Sequence, residues 1–536
     1  MFKTNIRDYP FTSRREVVFA KNGMVATSQQ LAAEAGRDIL KQGGNAIDAA
    51  IATAACLTVV EPTSNGIGSD AFALVWVKDR LYGLNGSGET PAGLNREVLK
   101  ALGYDAIPRF GLVPVTVPGT PGAWAALWQR FGKLPFHTLF EPAIKHAIEG
   151  FIVSATVAKY WERAAKIYKT HAPETVQETW FPTFTDKDGN TPQAGDIWQF
   201  PDHARTLELI GRTEARAFYE GVLADAIDTY VQQHDGFLHK KDLEAYRPQW
   251  VEPIGINYRG VDIWELPPNG QGLIALQALK IMEGFPAKDA EDITTLHRQI
   301  ESVKLAFKDG FSEITDQRHM RITPQRLLSE PHIKAKRDLI KPEAQDFLVG
   351  TPRTGGTVYL ATADDEGNMV SFIQSNFMGF GSGVVVPGTG IALQNRGYDF
   401  SLEEDHINVL KPNKRAYHTI IPAFLSKNGK ALGPFGLMAG YMQPQGHLQV
   451  VMNLFDFDMD PQSALDRYRW QWVEGKTIAV EPHTPQRIID GLLALGHDVK
   501  VSEVTGSFGR AQIILRYKNG YIGACEARCD SAIVTY

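Results

Sequence analysis

Cysteine is scarce in this chain. Three residues, Cys56, Cys525 and Cys529, among 536 are too few for a disulfide framework. Cys525 and Cys529 also lack the second ligand pair that a zinc site would need, so buried free thiols are expected, with no metal and no cofactor. A long hydrophobic run is missing too. The longest, residues 46–60, contains Asp48 and two threonines and is shorter than the roughly 20 apolar residues of a membrane span. The first residues, MFKTNIRDYPFTSRREVVFAKNG, contain no apolar stretch followed by a small-residue cleavage site, so a cytoplasmic location is expected. Nor is charge of one sign in excess. Fifty-five basic residues face 61 acidic ones, and no Lys/Arg block forms a stripe that would hold phosphates, which argues against nucleic acid as a partner. P-loop, HExxH and GxSxG motifs are absent. Gly66-Ile67-Gly68-Ser69-Asp70-Ala71 loosely matches a dinucleotide fingerprint, but it leads into a strand where that fingerprint needs a helix.

A 43% apolar and 22% charged composition belongs to an ordinary globular protein. The pattern alternates between sheet and helix. A strand at 23–27 is followed by a helix to Gln42, with Ser28 expected as its N-cap. Gly43-Gly44 ends that helix, and Asn45 caps a second one that is small and apolar on nearly every face, hence buried between layers. A strand at 71–77 follows. Helical patterns over 114–153 and 160–242 read as an outer layer, with a strand pair at 255–266 beyond it and then helices to about Asp309. From Glu330 to Gly356 long apolar runs are few, and the stretch closes on Thr351-Pro352-Arg353-Thr354-Gly355-Gly356, so it is expected to be exposed and mobile. TVYLATA and MVSFIQS form a hairpin across residues 364–368. IIPAFLS pairs with a strand near Ala431 across residues 427–430.

The segment that carries chemistry is Gly355-Gly356-Thr357 and its continuation to Gly367-Asn368, followed by Gly379-Phe380-Gly381-Ser382-Gly383 and Pro387-Gly388-Thr389-Gly390. Together with residues 23–62, VPGTPGAW at 117–124, and Lys414-Arg415 to Pro422, it resembles the γ-glutamyltransferases over nearly the whole chain, and among them the branch with cephalosporin-acylase-like members. The resemblance implies a four-layer αββα N-terminal-nucleophile sandwich cut between Gly356 and Thr357. Residues 1–356 and 357–536 would then be the two segments of one globular unit. The chemistry is sound: a threonine hydroxyl is a weak nucleophile, but a freed α-amine with a pKa near 8 on the same residue can take its proton near neutrality.

Further roles follow from the resemblance one residue at a time. Ser375 would hydrogen-bond the nucleophile, the Ala439 and Gly440 amides would hold the oxyanion, and Asp399 would take a substrate α-amine. His418 and Thr419 stand where the family has paired serines. Gly88 stands where it has the arginine that pairs with a glutamyl α-carboxylate. Arg396 is the candidate to replace that arginine, and Gly88→Arg is expected to raise γ-glutamyl turnover if nothing has. The short stretch from Asp399 to Lys414 lacks the longer lid of many members, so an open site is expected. The function implied is an autoprocessing amide hydrolase or acyltransferase acting on γ-glutamyl compounds such as glutathione. A side-chain acylase and an uncleaved ligand-binding relative stay open as alternatives. The partners expected are a small-molecule amide, the chain's own second fragment and, as an open option, a second copy in a homodimer. No membrane partner is expected.

Overall fold

The computed structural model describes residues 15–347, 350 and 355–536. Its centre is a pair of seven-stranded antiparallel sheets. In one, the strands run in the order Val18–Ala20, Gly520–Cys525, Arg510–Tyr517, Lys430–Met438, Ala423–Lys427, Val261–Glu265, Ile254–Tyr258. In the other, the order is Ala532–Thr535, Met24–Thr27, Gly356–Ala363, Met369–Phe377, Asp70–Val77, Arg80–Asn85, Gln249–Val251. Each sheet therefore draws strands from both sides of the Gly356–Thr357 bond.

The near-continuous apolar strands follow from burial on both faces. On Gly356–Ala363, Tyr359, Ala361 and Ala363 point into the core between the sheets, which they share with Phe72, Leu74, Trp76, Phe424 and Ile514. Val358 and Leu360 point the other way, into the helical layer. Trp76 and Phe424 stack across the two sheets with ring centroids 5.7 Å apart. Helices Gln30–Lys41 and Ala46–Val60 cover one outer face, and Gly272–Glu283, Ile293–Glu313 and Met442–Phe455 cover the other. The result is the four-layer αββα sandwich.

Every residue of Ala46–Val60 is buried, and Asn45 and Asp48 close a reciprocal capping box at its start. Loss of such a cap costs about 1 kcal/mol. Ser28 does not cap the preceding helix. Gln29 occupies that position without a side-chain capping bond, and Ser28 Oγ donates instead to Glu61 Oε2 at 2.5 Å, because the buried Glu61 carboxylate draws donors and also takes Arg510 at 3.0 Å. The expectation of a wholly exposed segment before the cleavage bond is corrected as well. Glu330–Arg337 is a helix whose Ile333 packs on Ile281 and Leu305. Residues 348–349 and 351–354 lie outside the described residues.

Candidate active site

Thr357 sits at a bulge. Pairing between the Gly356–Ala363 and Met369–Phe377 strands slips between Gly356 and Val358, so the ladder is interrupted where the nucleophile was expected. Opposite the bulge, Phe377 adopts a left-handed φ of 76°. Thr357 Oγ1 lies 2.7 Å from Gly356 O and 3.1 Å from Ser375 Oγ, and its single proton can serve only one of them at a time. Ser375 Oγ donates to Gly356 O at 2.6 Å and accepts from the Phe377 amide at 2.8 Å. The carbonyl of the Gly356–Thr357 bond is thus polarised by the serine that also faces the threonine hydroxyl. Thr357 is 1% exposed. The open site expected from the short Asp399–Lys414 stretch is therefore not open at Thr357, against which Gly356 stands. Gly355 lies beside the Phe377 carbonyl and the Gly440 Cα.

Beside Ser375 in the sheet stands Asp70, a residue the sequence did not single out. Its carboxylate accepts from the Gly88 and Gly119 amides at 3.1 and 3.2 Å and pairs with His418 Nε2 at 3.1 Å. Burial pushes Asp70 up to about 7 against the opposing pull of the Arg396 charge and these amides. Burial, and then the Arg396 charge, hold His418 well below the usual imidazole range, so its ring is neutral and donates to the carboxylate. His418 is thereby placed on Asp70, fully buried.

Gly88 is tighter than the sequence suggests. A Cβ built there would lie 1.7 Å from the Val117 carbonyl oxygen, and the Val117 amide is itself bound to the Glu89 carbonyl at 3.0 Å. No arginine fits without displacing that backbone. The expected gain from Gly88→Arg is accordingly replaced by an expected loss of folded protein.

Ala439 and Gly440 form the turn between the Lys430–Met438 strand and helix Met442–Phe455. Their φ values are 139° and 55°, and for alanine this is a strained backbone held by its surroundings. Gln271 Nε2 fixes the turn by donating to the carbonyls of both Gly440 and Thr419, at 2.9 and 2.6 Å. Thr419 in turn accepts from Arg396 Nη1 at 2.8 Å. Arg396 does not point to solvent. It is 1% exposed, lies 4.1 Å from the Phe377 ring centroid and has Nη1 3.5 Å from Asp399 Oδ2. Its Nε and Nη2 have no hydrogen-bond partner among the described residues. Tyr441 donates its hydroxyl to Asp399 Oδ1 at 3.2 Å. The structure thus joins Thr357 to Ser375, ties the Ala439–Gly440 turn to Thr419 through Gln271, and links Thr419 to Arg396 and Arg396 to Asp399, with His418 on Asp70 beside Ser375. It adds Asp70, Gln271 and Tyr441, which no local motif marks.

Away from this point, His297, Glu301 and His497 are the one grouping of metal-ligand side chains among the described residues. Most of its atoms are engaged within the protein, while His497 Nδ1 is buried without a hydrogen-bond partner among the described residues. His297 bonds His497 and the Lys341 carbonyl, and Glu301 takes Lys304 and the Gln345 amide.

The family model for gamma-glutamyltranspeptidase matches residues 32–536. The glutathione hydrolase-like YwrD proenzyme of Bacillus subtilis (strain 168) is 35% identical over 537 residues, covering 96% of this chain and 99% of that protein. The oxamate amidohydrolase proenzyme of Klebsiella pneumoniae is 32% identical over 529 residues, covering 96% and 98%. Among solved structures, the cephalosporin acylase of Bacillus halodurans superposes with a TM-score of 0.96 at 54% identity, covering 100% of this chain and 99% of that one.

Proposed function

Because the chain belongs to the gamma-glutamyltranspeptidase family, we propose that it matures by cutting Gly356–Thr357 and that Thr357 then attacks a small amide, with γ-glutamyl compounds as the leading substrate class. The observation that carries this reading is the position of Ser375 Oγ between Gly356 O and Thr357 Oγ1. In the first step Thr357 Oγ1 bonds to the Gly356 carbonyl carbon. Its proton passes to Ser375 Oγ, while the serine's own proton passes to Gly356 O. Collapse of this adduct breaks the C–N bond, regenerates the carbonyl and leaves the proton on the departing Thr357 nitrogen. Water then hydrolyses the ester, releasing the Gly356 carboxylate and a free Thr357 amine. That amine supplies the base for turnover, with the Ala439 and Gly440 amides as oxyanion donors.

Departure of Gly355 and Gly356 empties the space in front of Thr357, next to Gly440. The acyl end of the substrate fits there against Asp399 and Arg396, a carboxylate for an α-amine and a guanidinium with Nε and Nη2 uncommitted for an α-carboxylate. This pair takes the place of the arginine that Gly88 excludes. The same exclusion, with the likeness to a cephalosporin acylase, keeps a side-chain acylase as the second reading.

Intact mass of the purified protein tests the first half. The whole chain is 59.3 kDa, and the cut is expected to give fragments of about 39 and about 20 kDa that co-purify, since both sheets interleave the two segments. A single uncut mass, as the non-catalytic alternative requires, defeats the reading. Turnover of γ-glutamyl and neutral acyl anilides tests the second half. Arg396→Ala is expected to lower kcat/KM for the γ-glutamyl anilide by about 10- to 100-fold, the scale of one lost charge-assisted pair, and to lower it less for a neutral acyl group. An equal loss on both would remove Arg396 from substrate selection.

A further inference from the structure

Phe377 is the one aromatic residue with a left-handed φ among the described residues, at 76°. A bulky side chain rarely adopts this conformation, which persists only where its surroundings hold it. Phe377 is fully buried and ends the Met369–Phe377 strand, paired with Gly356. Between that pair and the next, Val358 with Gln374, two residues, Ser375 and Asn376, stand against Thr357 alone. The left-handed turn therefore closes the bulge at the bond to be cut.

Asn395 and Arg396 hold this turn. The Asn376 carbonyl accepts from the Asn395 amide at 3.2 Å, and the Met378 amide donates to Asn395 Oδ1 at 3.2 Å. The Phe377 ring centroid lies 4.1 Å from the Arg396 guanidinium carbon, a cation–π contact of the kind that strengthens when water is excluded. Arg396 is itself fixed by Thr419 at 2.8 Å. In return, residue 377 presents its backbone to the scissile segment. Its amide donates to Ser375 Oγ at 2.8 Å, which leaves the single serine proton for Gly356 O, 2.6 Å away. Its carbonyl oxygen lies against Gly355, 2.9 Å from where a Cβ would stand. Because φ sets the angle between these two groups, relaxing it to negative values turns the amide off Ser375 or the carbonyl off Gly355.

We propose that Phe377 is a positioning residue for self-cleavage, whose stack on Arg396 holds a left-handed backbone that keeps the Ser375 hydroxyl on the scissile carbonyl. This role presupposes that Gly356–Thr357 is cut.

The full chain is compared with three variants at residue 377. Maturation half-time is read by intact mass, and melting temperature in the Thr357→Ala background, where no cut intervenes. Phe377→Leu keeps apolar bulk but has neither the ring nor a tolerance of the left-handed region. Phe377→Gly and Phe377→Asn lose the ring and more volume, yet both accept φ above zero readily. If the side chain only fills the core, leucine is the mildest change by both measures. With a positioning role the two rankings cross. Phe377→Leu should melt highest of the three yet mature about 10-fold slower than the parent, having lost the stack that offsets the strain. Phe377→Gly and Phe377→Asn should melt lower and mature at least about threefold faster than the leucine chain. Arg396→Ala should slow maturation of the parent about 10-fold and add little in the Phe377→Gly chain, since glycine needs no stack. Maturation that follows the melting order overturns the proposal. So does an Arg396→Ala chain that matures at the parent rate, a result that needs no folded variant at residue 377. In both cases a parent that matures keeps the cleavage reading intact, whereas a parent that stays uncut defeats both. Acyl selection by Arg396→Ala is read per mature molecule and does not enter this comparison.

Discussion

Thr357→Ala is expected to give a single uncut chain with no measurable turnover, read by intact mass and by anilide hydrolysis. The alanine removes the hydroxyl that the proposed maturation uses to attack the Gly356 carbonyl, whose oxygen lies 2.7 Å from Thr357 Oγ1. Folding should survive. Ser375 keeps its bonds to Gly356 O and the Phe377 amide, so the cost is that of one neutral hydrogen bond, about 1 kcal/mol. Thr357→Ser retains a hydroxyl and, once cut, an α-amine. It loses the β-branch that restricts χ1, so slower maturation is expected, by about 10-fold, with turnover still detectable. Cleavage at residue 357 in the alanine variant would end the assignment of the nucleophile.

Local sequence was enough wherever an interaction is local. The Asn45 cap, the turn across residues 364–368 and the Lys427–Lys430 hairpin each join residues a few positions apart, and each forms where the pattern points. Strands buried on both faces were legible as continuous apolar runs. The order of those strands was not, because antiparallel neighbours such as Met24–Thr27 and Gly356–Ala363 are far apart in the chain. The same limit governs the site. Asp70 meets His418 across 348 positions, and nothing near either residue announces the other. Arg396 could be named as a candidate from its place three residues before Asp399. Its burial under Phe377 depends on the Met369–Phe377 strand, with which it shares no local pattern. Gly88 was legible as a missing arginine, but its contact with Val117 O turns an absent side chain into a forbidden one. Ser28 shows the opposite failure, a good capping residue drawn off by a buried carboxylate.

Ser375→Ala is expected to slow maturation more than it slows turnover, and that split separates a positioning role from a merely structural one. In the uncut chain the serine hydroxyl donates to the scissile carbonyl at 2.6 Å and accepts from the attacking hydroxyl at 3.1 Å. Alanine therefore removes both the polarisation and the proton path, and one lost donor of this kind costs about 10²- to 10³-fold. Once Gly356 has left, Ser375 has only the Phe377 amide and the nucleophile to serve. In the proposed turnover the Thr357 amine is the base and the Ala439–Gly440 amides are the donors, so a loss nearer 10-fold in kcat is expected, with little change in KM. Maturation half-time, followed by mass after expression at low temperature, gives the first number. Anilide turnover per mature molecule gives the second. The Phe377 amide left without its acceptor should also lower stability by about 1–3 kcal/mol, seen as a lower melting temperature. A melting shift with both rates unchanged would make Ser375 a strand residue that braces the bulge and nothing more.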